Sequence, residues 1–156
     1  MTVISVTCVG CDQATKSLAR SLLPEMQVYS FFGDAFRLQL AYNRGAFLSL
    51  GSTLPEHVRQ WLLVGGVGLV LAAILCYALF SRLARSSVVL GIALVFAGGV
   101  SNLADRIVLE GSVVDFMNLG IGTLRTGIFN VADIAIMAGF FVLLFSGFAD
   151  LKKAPG

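Results

Sequence analysis

Three stretches of the chain are long, apolar and almost free of charge. Trp61 to Phe80 carries none, Ser86 to Ala104 runs uncharged up to Asp105, and Ile128 to Ala149 holds one acid, Asp133, near its start. A helix crosses the hydrocarbon core of a bilayer in about 20 apolar residues at about 1.5 Å each, so each stretch has the length of a span. Residues 1–23 make a fourth, less apolar candidate. Asp12, Lys16 and Arg20 interrupt it at i, i+4 and i+8, on one helix face and with acid before base, and Pro24 stops it. A charged stripe of that kind suits a helix packed against a polar bundle interior. The pattern predicts a polytopic α-helical membrane protein, one domain over 1–156, with four transmembrane helices at about 1–23, 60–80, 86–105 and 128–149.

The segment 25–58 has a different texture. Phe36, Leu38, Leu40 and Tyr42 alternate with Arg37, Gln39 and Ala41, the period of a half-buried strand. The β-prone run Val28 to Phe32 and the turn pair Gly33-Asp34 precede it, which predicts a hairpin. Ser52-Thr53-Leu54-Pro55-Glu56 reads as a helix start, with a capping hydroxyl, an early proline and an early acid. A small β-sheet insert is therefore expected on one membrane face, beside the loop joining helices 3 and 4.

Composition agrees with lipid as the solvent: 57% of the 156 residues are hydrophobic and 13% charged. The net charge of +2 is small and its basic residues scattered, which excludes nucleic acid as a partner. Cys8 and Cys11 have CxxC spacing but no second ligand pair, so they and Cys76 are expected to sit buried in membrane helices rather than to bind zinc. No basic residue precedes the apolar start and no cleavage box follows it, so residues 1–11 read as the opening of helix 1. The loop Ser81–Arg85 and the tail Lys152-Lys153 share one side under four-helix topology. Their dense positive charge assigns that side to the cytoplasm and the insert to the outside. A larger number of basic residues, Lys16, Arg20, Arg37, Arg44, Arg59, Arg106 and Arg125, falls on the other side, several with acids nearby.

An ionisable residue within the membrane costs about 2.5–3.5 kcal/mol on insertion scales, so it is a functional candidate by default. Asp12, Lys16, Asp105, Arg106 and Asp133 gather near the same face, and Asp115 stands just beyond it among apolar neighbours. Asn102, Asp105 and Arg106 share one side of helix 3, and Asn130 and Asp133 are i and i+3 at the opening of helix 4. Asp12 with Lys16, and Asp105 with Arg106, read as structural pairs. Asp115 and Asp133 then lack a basic partner apart from Arg125. Two carboxyls in a low-dielectric site cannot both ionise easily, so one keeps its proton while the other acts as base on water. Rival readings are a transporter or channel, and a non-catalytic assembly protein whose Gly65-Gly66 and Gly98-Gly99 pairs pack helices. Against a transporter, helix 2 is polar-free and the acids cluster at one end. His57, in a helix-start loop, reads as a solvated histidine.

Five ordered segments resemble motifs of the lipoprotein signal peptidase (signal peptidase II) family. They are Asp12-Gln13-Ala14-Thr15-Lys16, Asn43-Arg44-Gly45-Ala46, Asn102-Leu103-Ala104-Asp105-Arg106, Val113-Val114-Asp115-Phe116 and Phe129-Asn130-Val131-Ala132-Asp133. The resemblance implies an aspartic peptidase with Asp115 and Asp133 as the catalytic pair. It implies that Asn43, Gly45, Asn102, Arg106 and Asn130 line the site or bind substrate, with Asp12, Lys16 and Asp105 in support, and no cofactor. It further implies a diacylglyceryl-prolipoprotein substrate, cut before the lipidated cysteine, a site on the outer face of the bacterial inner membrane, and inhibition by globomycin-type peptides. The chain departs from the family pattern at Phe47 and Leu48, at Ser101, at Ile134 and in the non-aromatic stretch Gly122 to Gly127, which bear on pocket shape. Few residues precede Asp12, which bears on the start of helix 1.

Overall fold

A computed structural model describes residues 1–45, 53, 55–81 and 85–151. The expected cap at Ser52, Ala46 of the second motif, the departures Phe47 and Leu48, the centre of the basic loop at 82–84 and Lys152-Lys153 lie outside the described residues. Helix α1 is Thr2–Leu22, and its cap Leu23 is extended, as a residue before proline prefers to be. Its buried residues are Asp12, Lys16 and Ala19, the i, i+4, i+7 stripe of a helix that packs on one side. Arg20 does not join them. It is exposed in the last turn, where its charge complements the helix C-terminus.

Helix α2 spans Glu56–Phe80 and carries a π-helical turn at Trp61–Gly66. Helices α3 (Ser86–Val108) and α4 (Val131–Leu151) form the centre of the bundle. Small residues bring them together. A Cβ on Gly98 would lie 2.4 Å from the carbonyl oxygen of Ala132, and one on Gly139 would lie 2.7 Å from that of Gly91. Only glycine tolerates such backbone approach, which in lipid replaces the missing hydrophobic drive between helices. Gly99 leaves room for the side chain of Leu71 of α2, whose methyl group would lie 2.6 Å from a Cβ there. Gly65 and Gly66 do not pack helices. They are exposed within the π-helical turn and meet no other element.

Among the described residues three helices are long and apolar enough to cross a membrane: Glu56–Phe80, Ser86–Val108 and Val131–Phe148. Residues such as Leu69, Phe80 and Phe145 are more than half exposed on them, an apolar outer surface suited to lipid. Asp12, Gln13 and Lys16 keep α1 below the same hydropathy. The three cysteines are free, and Cys11 and Cys76 face outward from the bundle instead of being buried in it, since their faces of α1 and α2 carry no packing partner.

The expected hairpin comprises β1 (Tyr29–Phe31) and β2 (Phe36–Asn43). Its turn holds Phe32, Gly33 and Asp34 at positive φ. The sheet is larger than the insert alone. Residues following α3 supply β3 (Val113–Ile121) and β4 (Leu124–Arg125), giving one antiparallel order β1-β2-β3-β4. An irregularity between Leu38 and Ala41 shifts the register, so that Ala41 faces Asp115 and Asn43 faces Val113.

Candidate active site

The polar core begins with Lys16, which is 1% exposed. An ammonium has three N–H groups, and all three are used: on Asp12 at 2.7 Å, Asp105 at 2.9 Å and the side-chain oxygen of Asn102 at 2.8 Å. Asp12 also accepts from the Ser101 hydroxyl and, at 2.7 Å, from the backbone N–H of Ala132 in the first turn of α4. Asp105 accepts from Gln13 at 2.8 Å and from the N–H of Val114 on β3. These bonds lock α1, α3, α4 and β3 together. Asp105 does not pair with Arg106 as expected, because neighbours in a helix point about 100° apart and Asp105 faces α1.

Asp115 and Asp133 arrive from different elements. Main-chain bonds between Phe129 and Met117, in both directions, zip the segment before α4 onto β3. Asn130 then caps α4: its side-chain oxygen accepts from the N–H of Asp133 at 2.9 Å, and Asp133 accepts from the N–H of Asn130 at 3.1 Å. This is a reciprocal capping box with aspartate at the third position. The Asn130 side-chain amide also donates to Asp115 at 2.7 Å, so one residue holds both carboxyls, Asp115 through its side chain and Asp133 through its main-chain N–H. The second oxygen of Asp115 accepts from Asn43 at 2.9 Å, a diagonal pair on one face of the β2–β3 ladder. The second oxygen of Asp133 accepts from Asn102 at 2.9 Å.

All four carboxylate oxygens are thus aimed by amides, and among the described residues no cation lies within ion-pair distance of either acid. Arg125 is not their partner. It binds Asn118 and Asp34 at the far side of the sheet, where Arg37 holds the Asp34 carboxyl well below the usual carboxylate range. Asp115 is 1% exposed, and its pKa is pushed up to about 7, first by burial and then by the charge of Asp133, against the opposing bonds from Asn43 and Asn130.

Both acids open on a cavity of about 220 Å³ between the sheet and helices α2, α3 and α4. Asn43, Asn102 and Arg106 line it as well. Arg106 donates to the carbonyl of Gly45 at 2.9 Å and weakly to that of Asn102, while its buried Nε has no partner. Gly45 is held by its own N–H bonding back to Asn43. His57 is exposed in the first turn of α2. Among the described residues no three histidine, cysteine, aspartate or glutamate side chains converge as metal ligands. Chemically the arrangement offers a carboxyl that keeps its proton toward neutrality beside a second carboxyl, plus amide and guanidinium donors for a peptide carbonyl.

The sequence reading missed Gln13, which bonds Ser101 and Asp105 across the α1–α3 contact. Ser101, read as a departure affecting the pocket, instead serves Asp12. Helical spacing offered a signal for both: Gln13 adjoins Asp12, and Ser101 stands four residues before Asp105.

Comparison with known proteins follows the same outline. Residues 4–149 match the family model described as signal peptidase (SPase) II. A lipoprotein signal peptidase from a Sulfurihydrogenibium species is 36% identical over 147 residues, covering 93% of this chain and 87% of the relative. One from Francisella tularensis subsp. mediasiatica is 30% identical over 156 residues, covering 97% and 93%. Two solved structures of bacterial membrane enzymes, obtained by the in meso method, share the fold. The first has a TM-score of 0.86 at 23% identity, covering 99% of this chain and 90% of the other; the second has 0.76 at 24%, covering 93% and 90%. The family match starts within α1, ends within α4 and takes in every polar residue of the cavity, so the chain belongs to the signal peptidase II family.

Proposed function

We propose that this membrane peptidase is an aspartic endopeptidase that removes the signal peptide from diacylglyceryl-modified prolipoproteins, cutting before the lipidated cysteine. The observation that carries the reading is the linkage of Asp115 and Asp133 through Asn130 at one buried cavity, with no cation among the described residues within ion-pair distance of either acid. Asp133 sits at the N-terminus of α4 and accepts from a backbone N–H and from Asn102, the surroundings of an anion, so it is the base that takes a proton from water. Asp115 keeps its proton up to about neutrality and gives it to the scissile carbonyl oxygen. The resulting gem-diol collapses as the pair protonates the leaving amine. Arg106, Asn43 and Asn102 offer donors to the peptide carbonyls flanking the cut, and Gly45 keeps the chain next to Asn43 close to them.

In this reading α1 is the fourth span, its polar stripe facing α3 and α4. The sheet and the cavity lie on the outer face of the bacterial inner membrane, and both termini are cytoplasmic. The lipid of the substrate and the surrounding bilayer are partners, and globomycin-type peptides compete at the cavity. A transporter reading finds less support, because the buried charges gather at one end of the bundle and α2 buries only Arg59 and Leu71.

The test is incubation of the purified, detergent-solubilised protein with a diacylated prolipoprotein, read by mass analysis. Release of the intact signal peptide is expected, with less than about a tenth of the activity left in Asp133→Asn. A product cut elsewhere, or an active Asp133→Asn, would overturn the assignment.

A further inference from the structure

Asp133 borders two cavities that differ in their hydrogen-bonding groups. The first is the donor-bearing cavity, where Asn43, Asn102, Arg106 and Asp115 stand opposite apolar residues such as Leu63, Val67 and Ile136. The second is a groove of about 650 Å³ beneath the sheet, between β3 and the first two turns of α4. Phe36, Met117, Leu119, Ile134 and Ala138 give it apolar walls, while Phe129 and Met137 stand between the two spaces and touch both. Its polar side chains are engaged elsewhere. The Thr126 hydroxyl accepts from the N–H of Leu119, and both Asp133 oxygens are held by Asn102 and Asn130.

A peptide carries a donor and an acceptor at every residue and loses about 1–3 kcal/mol for each one buried without a partner, so an apolar groove rejects it. A hydrocarbon chain has no such requirement. Resting on the function proposed above, we infer that this groove seats an acyl chain of the substrate's diacylglyceryl group, leaving the donor-bearing cavity to the peptide. The two spaces meet at Asp133, as the two parts of the substrate meet at the lipidated cysteine beside the cut bond. Ile134 and Ala138 lie i, i+4 on the exposed side of α4, so the groove opens toward the bilayer and a chain enters it without leaving apolar surroundings. Transfer from lipid into the groove therefore contributes little binding, and its effect is to fix the depth of the scissile bond.

Ala138→Trp and Ile134→Trp fill the groove from an exposed helix face that tolerates a large side chain. Each purified variant is assayed on prolipoproteins of one peptide sequence carrying palmitoyl or butanoyl chains. Phe145→Trp, on the outer face of α4 away from the groove, serves as control. The ratio of palmitoyl to butanoyl kcat/KM is expected to fall about tenfold or more in both groove variants, through kcat, and to keep its wild-type value in Phe145→Trp. An unchanged ratio in the groove variants overturns the assignment, as does a change that follows the signal-peptide sequence instead of the chain length. If the wild type cleaves neither substrate, the peptidase reading itself fails, a result distinct from either.

Discussion

Replacing Asp115 by asparagine should silence the enzyme and stabilise it at the same time. The carboxyl has a pKa of about 7 in the folded chain against an ordinary 3.8, a difference of about 3 units or about 4 kcal/mol. Because the folded value is the higher one, the folded state binds the proton more tightly. Stability from this group is complete below about pH 4, declines as the pH rises, and is lost above about pH 7. An amide carries no charge to desolvate and escapes the whole loss. It also turns one N–H pair toward donors already present on Asn43 or Asn130, at a cost of about 1–2 kcal/mol. The net gain at about pH 8 is therefore about 2–3 kcal/mol, or about 5–10 °C in Tm for a chain of this size. Thermal unfolding in detergent at about pH 8 and about pH 5 reads it directly. The gain should vanish or reverse at the lower pH. A difference between variant and wild type that does not change with pH would refute the claim that Asp115 is an ionisation-penalised acid.

Three further outcomes follow from the same geometry. If Asp115 supplies the proton, kcat/KM should fall above about pH 7 with the slope of one proton, and a profile flat to about pH 9 would remove it as the acid. Lys16→Met should leave Asp12 and Asp105 buried without their cation, costing about 3–5 kcal/mol and preventing accumulation of folded protein; normal yield and Tm would show that the cluster contributes no stability. In a cysteine-free background, Thr123→Cys should react with an impermeant maleimide in intact spheroplasts and Ser86→Cys should not, and the opposite pattern would invert the proposed topology.

The three apolar spans were legible in the sequence because lipid-facing helices need uninterrupted apolar runs, and the β1–β2 hairpin because Phe36, Leu38 and Leu40 alternate with Arg37 and Gln39. Strand β3 was not. It is buried on both sides from Val113 to Phe116, so alternation, the usual strand signal, is absent there, and Val113-Val114-Asp115-Phe116 reads as an apolar loop. The helix α4 starts three residues later than the apolar run, because Ile128 and Phe129 are as apolar as the helix while the backbone of Phe129 bonds to β3 and Asn130 serves as the cap. Asp115 and Asp133, the proposed pair, stand out in the sequence as two acids left over after pairing. The pairing itself was partly misread: only coordinates place Asp105 on Lys16 and leave Arg106 with backbone carbonyls.

That redistribution of partners decides the chemistry. Among the described residues four carboxyls, Asp12, Asp105, Asp115 and Asp133, surround one buried ammonium, and an ammonium in contact with the proposed pair would hold both acids ionised, leaving no proton to give to a carbonyl. Lys16 is instead saturated by Asp12, Asp105 and Asn102. Asn102 hands on direction without charge: its oxygen accepts from Lys16 and Asn130 while its amide orients Asp133. Asn130 repeats the step toward Asp115. A chain of neutral amides therefore aligns the two acids to the α1–α3–α4 core, while the Lys16 ammonium stays out of direct contact with them and Arg106 acts on them only across the cavity. An Asn102→Asp replacement would insert a fifth carboxyl into that chain and take away the amide that aims Asp133. For this reason the proposed division of roles between Asp115 and Asp133 depends on asparagine at positions 102 and 130.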